Sequence, residues 1–183
     1  MWDVCNNIQP EKQLFLIPAI KESALRGLMM HLSNEHFAEV EILAFRARCK
    51  LDGMSYEQTV DVRTNDGSLI RLFDFMGFAV NESRLGKNKK VILCIPYIDG
   101  DIAVLDSGKP QLLESDFDPK SDAPSRLTLS AKVLEVNSDD HDILVDAGFG
   151  IIYVLWDTDQ ITLNAGDVIK FMTPRLDLLE ILD

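Results

Sequence analysis

Leu43-Ala44-Phe45-Arg46-Ala47-Arg48-Cys49-Lys50-Leu51 is apolar at every odd position and, Ala44 apart, basic at every even one. A period of two marks a strand with one face on a core and the other in solvent, so this stretch sets the class as mainly β. Asp52-Gly53 ends the strand. Val60 and Val62 carry the alternation into a second, Asn65-Asp66-Gly67 supplies the residues of a tight hairpin, and Ile70 and Leu72 lead back in a third. After a segment from Phe73 to Gly86, helical or irregular, the basic loop Lys87 to Lys90 precedes the apolar run Val91 to Ile95. Asp99-Gly100 then turns the chain into Ile102 to Leu105. Five strands interrupted after the third is the order expected of a small antiparallel barrel of the OB type.

Working outward, Leu25, Leu28, Met29 and Leu32 recur at helical spacing between Ala19 and about Phe37, with Lys21, Glu22 and Arg26 on the other face. The pattern predicts one N-terminal amphipathic helix, weakened by about 1 kcal/mol at Gly27. Its apolar stripe is read as a cover for one barrel end, with a partner-binding helix as the sharper alternative.

From Ser107 to Ser125 the chain turns rich in proline, serine and aspartate, with Pro110, Pro119 and Pro124 favouring an extended connection. Beyond it Leu127, Leu129, Ala131 and Val133 define a strand face, Asn137 to Asp142 a turn, and Ile143 to Asp146, Ile151 to Trp156, Val168 to Met172 and Leu176 to Leu182 further strands. Val91-Ile92 with Pro96 is matched by Val168-Ile169 with Pro174, each before a last strand. The expectation is two tandem OB-like barrels: helix and first barrel in 1–108, a linker over 109–125, and a second barrel in 126–183. A single larger sandwich is the alternative.

With 46% apolar and 26% charged residues among 183, the chain is of globular composition. Its start, MWDVCNNIQPEK, has neither the basic nor the apolar region of a signal peptide, and Leu14 to Ile17 is too short to span a bilayer, so a cytoplasmic protein away from membranes is expected. Cys5, Cys49 and Cys94 lie more than forty residues apart, which suits reduced, buried thiols rather than a disulfide framework or zinc motif. The net charge is −12. Residues 40–95 hold nine basic and seven acidic side chains, the remainder nine and twenty-three, so any attraction for a polyanion should be local to the first module.

Catalytic signals are sparse. His31, Glu35 and Glu39 could share a helical face beside His36, but no third ligand accompanies them, and Asp139-Asp140-His141-Asp142 is explained by its turn. No phosphate-binding glycine loop or nucleophile elbow occurs, and Gly148-Phe149-Gly150 reads as a bend or bulge in a strand. Asn81-Glu-Ser83-Arg-Leu-Gly86 resembles the [DN]xSxxG element of PilZ domains, which bind a cyclic dinucleotide. The upstream arginine pair of that family is met only by Arg46-Ala-Arg48-Cys-Lys50, and a lysine cannot reproduce the bidentate fork. No cofactor or metal is therefore expected, and the protein is read as non-enzymatic.

The strongest constellation is the outward face of the first module. Arg46, Arg48 and Lys50 alternate along one strand, Arg63 and Arg71 lie on the next two, Tyr56 and Phe73 sit at the margin, and Lys87, Lys89 and Lys90 follow in a loop. On an OB-like barrel this surface is the usual ligand platform, and aromatics there stack on bases. Alternating arginines also serve simply to keep a half-exposed strand soluble, and Asp61 interrupts the face. The sequence thus points first to a binding or adaptor protein contacting a protein partner, and second to a single-stranded nucleic-acid binder using these ten residues.

Overall fold

The opening alternation does become a strand, but with a change of phase. The computed structural model describes residues 35–51, 54–74, 80–137, 142–156 and 161–182. In β1 (Ala38–Leu51), paired antiparallel with β2 (Met54–Thr64), Ile42 faces Val62 whereas Phe45 faces Val60, so one residue is bulged out between them. Val40 and Ile42 are buried ahead of the bulge and Phe45 packs on the core beyond it. The even-odd pattern of Leu43 to Leu51 is consequently offset by one from that of Val40 and Ile42. This is the local kink that a bulge introduces.

β3 (Leu69–Asp74) follows through the turn at Gly67, whose φ of 89° favours glycine. After a single 3₁₀ turn at Glu82–Arg84 comes β4 (Gly86–Ile95), which pairs with β1. The ring is completed by the last strand of the chain, β11 (Asp177–Leu182), antiparallel to β4 and parallel to β3, where Asp177 lies opposite Phe73. The five form a closed barrel in the cyclic order β1-β2-β3-β11-β4. Val60, Val62, Ile70, Leu72, Leu93 and Leu178 are among its buried side chains.

This corrects the sequence reading at one point. Ile102 to Leu105 was expected to close the first barrel, yet β5 (Ala103–Leu105) pairs with β10 (Val168–Thr173) in the second half. The cause is the length of the ribbon to which both belong. Lys90 to Cys94 lie opposite Leu182 to Asp177, the Asp99 N–H donates to the Met172 carbonyl, and Ala103 to Leu105 lie opposite Lys170 to Val168. Two long segments therefore run side by side, so that β11 joins the strands of the first barrel while β5 joins β10.

The remaining strands are β6 (Gln111–Ser115), β7 (Leu127–Asn137), β8 (Asp142–Asp146) and β9 (Ile151–Leu155). β7 pairs with β8, β8 with β9, β10 with β7, and β9 runs parallel to β4 over Leu93–Ile95. The stretch expected as a linker holds β6, laid on β7, and a strap beyond it that is fastened to β3. Residues 34–183 form one compact unit. Gly150 pairs with Ala38, and an added Cβ there would collide with the Ala38 side chain, which accounts for one of the two glycines flanking Phe149. The other, Gly148, has a φ of 84° and backs onto the Pro110 carbonyl.

The expected N-terminal helix lies outside the described residues except for its last three positions. Of these, Glu35 and His36 form a turn into β1. No helix among the described residues is long and apolar enough to cross a membrane.

Candidate functional site

The outward face of the first barrel is where the arginines converge, and register explains how. Arg71 on β3 lies directly opposite Asp61 on β2, and Arg46 on β1 is opposite Thr59, one row away. The Arg71 guanidinium donates to both Asp61 oxygens, from Nε at 2.5 Å and Nη2 at 3.1 Å. Arg46 reaches the same carboxylate at 2.8 Å. Two cations thus share one anion that is itself only 7% exposed at its side chain.

Arg71 is covered as well as paired: it is 1% exposed. The strap after β6 lies across it. Nη1 donates to the carbonyls of Asp118 (2.9 Å) and Ser121, and the Phe117 ring stacks 5.0 Å from the guanidinium carbon. At the end of the strap the Ser125 N–H donates to the Arg71 carbonyl at 2.9 Å, and the Ser125 hydroxyl accepts from the Arg71 N–H at 2.9 Å. A guanidinium presents five donors in a planar fork, so one side chain can hold a carboxylate and two carbonyls together.

The other sequence-selected residues are placed as follows. Arg63 pairs with Glu41 at 2.5 Å at the exposed surface between β1 and β2. Arg48, at the second bulge of β1, lies with its guanidinium carbon 5.8 Å over the buried Phe73 ring. Lys90 places Nζ 4.4 Å over Phe37. Lys87 and Lys89 are on the opening stretch of β4, flanking Asn88 with its left-handed φ of 57°. Lys50 and Tyr56 occupy positions in β1 and β2, and their side chains lie outside the description. The structure therefore joins Arg46 and Arg71 through Asp61, and Arg48 to Phe73, while Lys87, Lys89 and Lys90 lie apart on β4. Asn81 and Ser83, the pair resembling a PilZ element, cap the 3₁₀ turn: the Asn81 side chain accepts from the Ser83 N–H at 3.0 Å and its hydroxyl at 2.6 Å.

Sequence reasoning missed the continuation of this face. Partner by partner across the sheet run Thr59, Phe73, Asp177, Cys94 and Tyr153, from β2 to β9, and all five are buried although they point away from the barrel core. Arg175 meets Asp177 through two 2.9 Å approaches and is sandwiched between the rings of Phe73, at 4.5 Å, and Tyr97, at 5.9 Å. Burial raises the Asp177 carboxyl to about 6, against the opposing pull of Arg175. The Cys94 thiol is raised well above its ordinary value, by burial first and then by the charges of Asp177 and Asp142. A thiol so held is protonated and a poor nucleophile. The Thr59 hydroxyl is buried with no hydrogen-bond partner among the described residues. His36 Nδ1 lies 3.0 Å from the Tyr153 hydroxyl, while His31 and His141 fall outside the described residues. A register-resolved reading could have aligned Asp177 with Cys94, but only with the strand exchange known.

No protein-family model, curated protein or solved structure matches the chain.

Proposed function

We propose that this chain is a non-enzymatic binding protein that contacts a protein partner in the reducing cytoplasm, built on two interlocked barrels of the OB type. The OB assignment rests on the cyclic order of the closed barrel, in which the third and fifth strands are the only parallel pair. In the second half β7 lies between β8 and β10, β8 pairs with β9, and β9 runs parallel to β4.

The observation that carries the reading is the internal neutralisation of the arginine face. Arg46 and Arg71 bind Asp61, Arg63 binds Glu41, and the strap lies over Arg71. Affinity for a phosphate backbone comes from cations free to displace counterions, and these three are engaged within the chain. The charge balance points the same way. Residues 1–95 hold twelve basic and twelve acidic side chains, whereas residues 96–183 hold six and eighteen, so the whole net charge of −12 belongs to the second part. Such a surface repels polyanions and attracts basic protein segments.

The test is a titration of labelled single-stranded DNA and RNA into the protein at two salt concentrations, beside a pull-down from a native extract. A stoichiometric protein partner without nucleic-acid binding is the expected result. Salt-sensitive nucleic-acid binding lost in an Arg46→Glu, Arg48→Glu variant would replace this reading with the nucleic-acid one.

A further inference from the structure

We infer that the outer edge of β5 is a strand-addition site for an extended, basic segment of a protein partner, an inference that rests on the protein-partner reading and names its surface. Among the described residues β5 is paired with β10 alone, through Leu105 with Val168, Val104 with Ile169 and Ala103 with Lys170. Among those residues its other edge is the end of the sheet.

Residues directly opposed in an antiparallel pair project to the same side. Val104 therefore faces the side on which Ile169 is fully buried, yet Val104 is 46% exposed, the most of any large apolar side chain described. The strand in the corresponding place of the first barrel, β11, has its inward Leu178 and Ile181 at 2% and 8%. One inward-facing valine thus lacks the cover that its counterparts have. Besides keeping edge strands short, as the three residues of β5 are, natural sheets blunt an open edge with lysine, proline or an inward-pointing charge. Between the exposed carboxylates Asp101 and Asp106 the sequence is Ile-Ala-Val-Leu and holds none of these.

Charge selects the occupant. Asp101 and Asp106 bracket the edge, and the part of the chain carrying it holds six basic against eighteen acidic residues. An added strand with an apolar residue over Val104 and lysine or arginine at each end would pair its main chain with β5 and set its cations against the two carboxylates. With a rise of about 3.4 Å per residue, the bracketed span corresponds to roughly 17 Å of strand.

The experiment is fluorescence anisotropy on the intact protein with a short labelled peptide of alternating valine and threonine ended by lysines. Three comparisons accompany it: the peptide N-methylated along its pairing edge, a glutamate-ended peptide, and the Val104→Lys protein, whose substitution lies at an exposed position. The lysine peptide is expected to bind, and N-methylation or Val104→Lys to weaken it roughly tenfold or more, with no binding by the glutamate peptide. Absence of binding at low salt, or equal binding by the N-methylated peptide and to Val104→Lys, overturns the edge site. The partner reading is judged separately: a protein recovered from extract equally by wild type and Val104→Lys sustains that reading while removing β5 from it.

Discussion

Replacing Arg71 with methionine should destabilise the protein by about 3 kcal/mol. The side chain is 1% exposed, so its removal leaves Asp61 inside the covered face with Arg46 as the remaining cation. Breaking a buried ion pair from one side costs roughly 3–5 kcal/mol. Arg46 compensates in part, being within 2.8 Å of Asp61, but it is 35% exposed at its side chain and reaches a single oxygen. Against that relief stand the carbonyls of Asp118 and Ser121, which lose a charged donor at about 1 kcal/mol each if left unsolvated. Urea unfolding followed by tryptophan fluorescence gives the change in midpoint, and a cycle with Asp61→Leu isolates the coupling. Because the pair is what makes the anion tolerable, the double variant should be less damaged than the sum of the singles by on the order of 1–3 kcal/mol. A cost below about 0.5 kcal/mol for Arg71→Met would mean that the guanidinium lies free on an open surface, as a ligand-binding arginine would. The assignment of the strap as a structural cover would then be lost.

The carboxyl of Asp177 gives a pH dependence with a definite sign. Its folded value of about 6 lies above the ordinary 3.8, so the folded state holds the proton more tightly, and stability falls as pH rises from about 4 through 6 and is flat above. The loss is on the order of 3 kcal/mol, and Asp177→Asn should remove it, so a wild-type minus variant difference in urea midpoint that stays constant from pH 4 to 8 would contradict the burial of the charge. The strand exchange predicts that residues 1–108 and 109–183 made as separate chains each lack cooperative folding, while mixing them restores a single transition by circular dichroism. Independent folding of the first fragment would show that β11 is dispensable to its barrel.

How much of this could be read from the sequence depends on the range of the signal. The alternation of Leu43 to Leu51, the turn at Asn65-Asp66-Gly67 and the inward sets Val60 with Val62 and Ile70 with Leu72 are local, and they locate β1 to β3. Which strand closes the barrel is not local. Ile102 to Leu105 and Leu178 to Leu182 are both short apolar runs beyond a proline, and periodicity gives them equal standing. The difference lies in the ribbon, where Leu178 and Ile181 pair beside Leu93 and Val91 as both long segments cross between the halves. Nearest-neighbour pairing of sequential strands favours the simpler hairpin, so it leads to the wrong one here.

The site was legible to a lesser degree, for a chemical reason. Alternation tells which side chains point outward but not what lies over them, and the cover on Arg71 includes main-chain carbonyls beside the Phe117 ring. The Asp118 and Ser121 carbonyls that accept from its guanidinium would be there whatever residues stood at those positions, so they leave no trace in composition. What the sequence does contain is the carboxylate of Asp61, two residues from Arg63 and opposite Arg71 once the hairpin at Gly67 sets the register. A lone acid placed opposite an arginine on an otherwise basic face is a reason to expect pairing before ligand binding, since an anion in the middle of the surface would repel the phosphate that the arginines attract. That argument requires register, not only face, and the Gly67 hairpin provides it for β2 and β3. It could not reach Arg175 and Asp177, which arrive at the same face only because the chain's last strand returns to the first barrel.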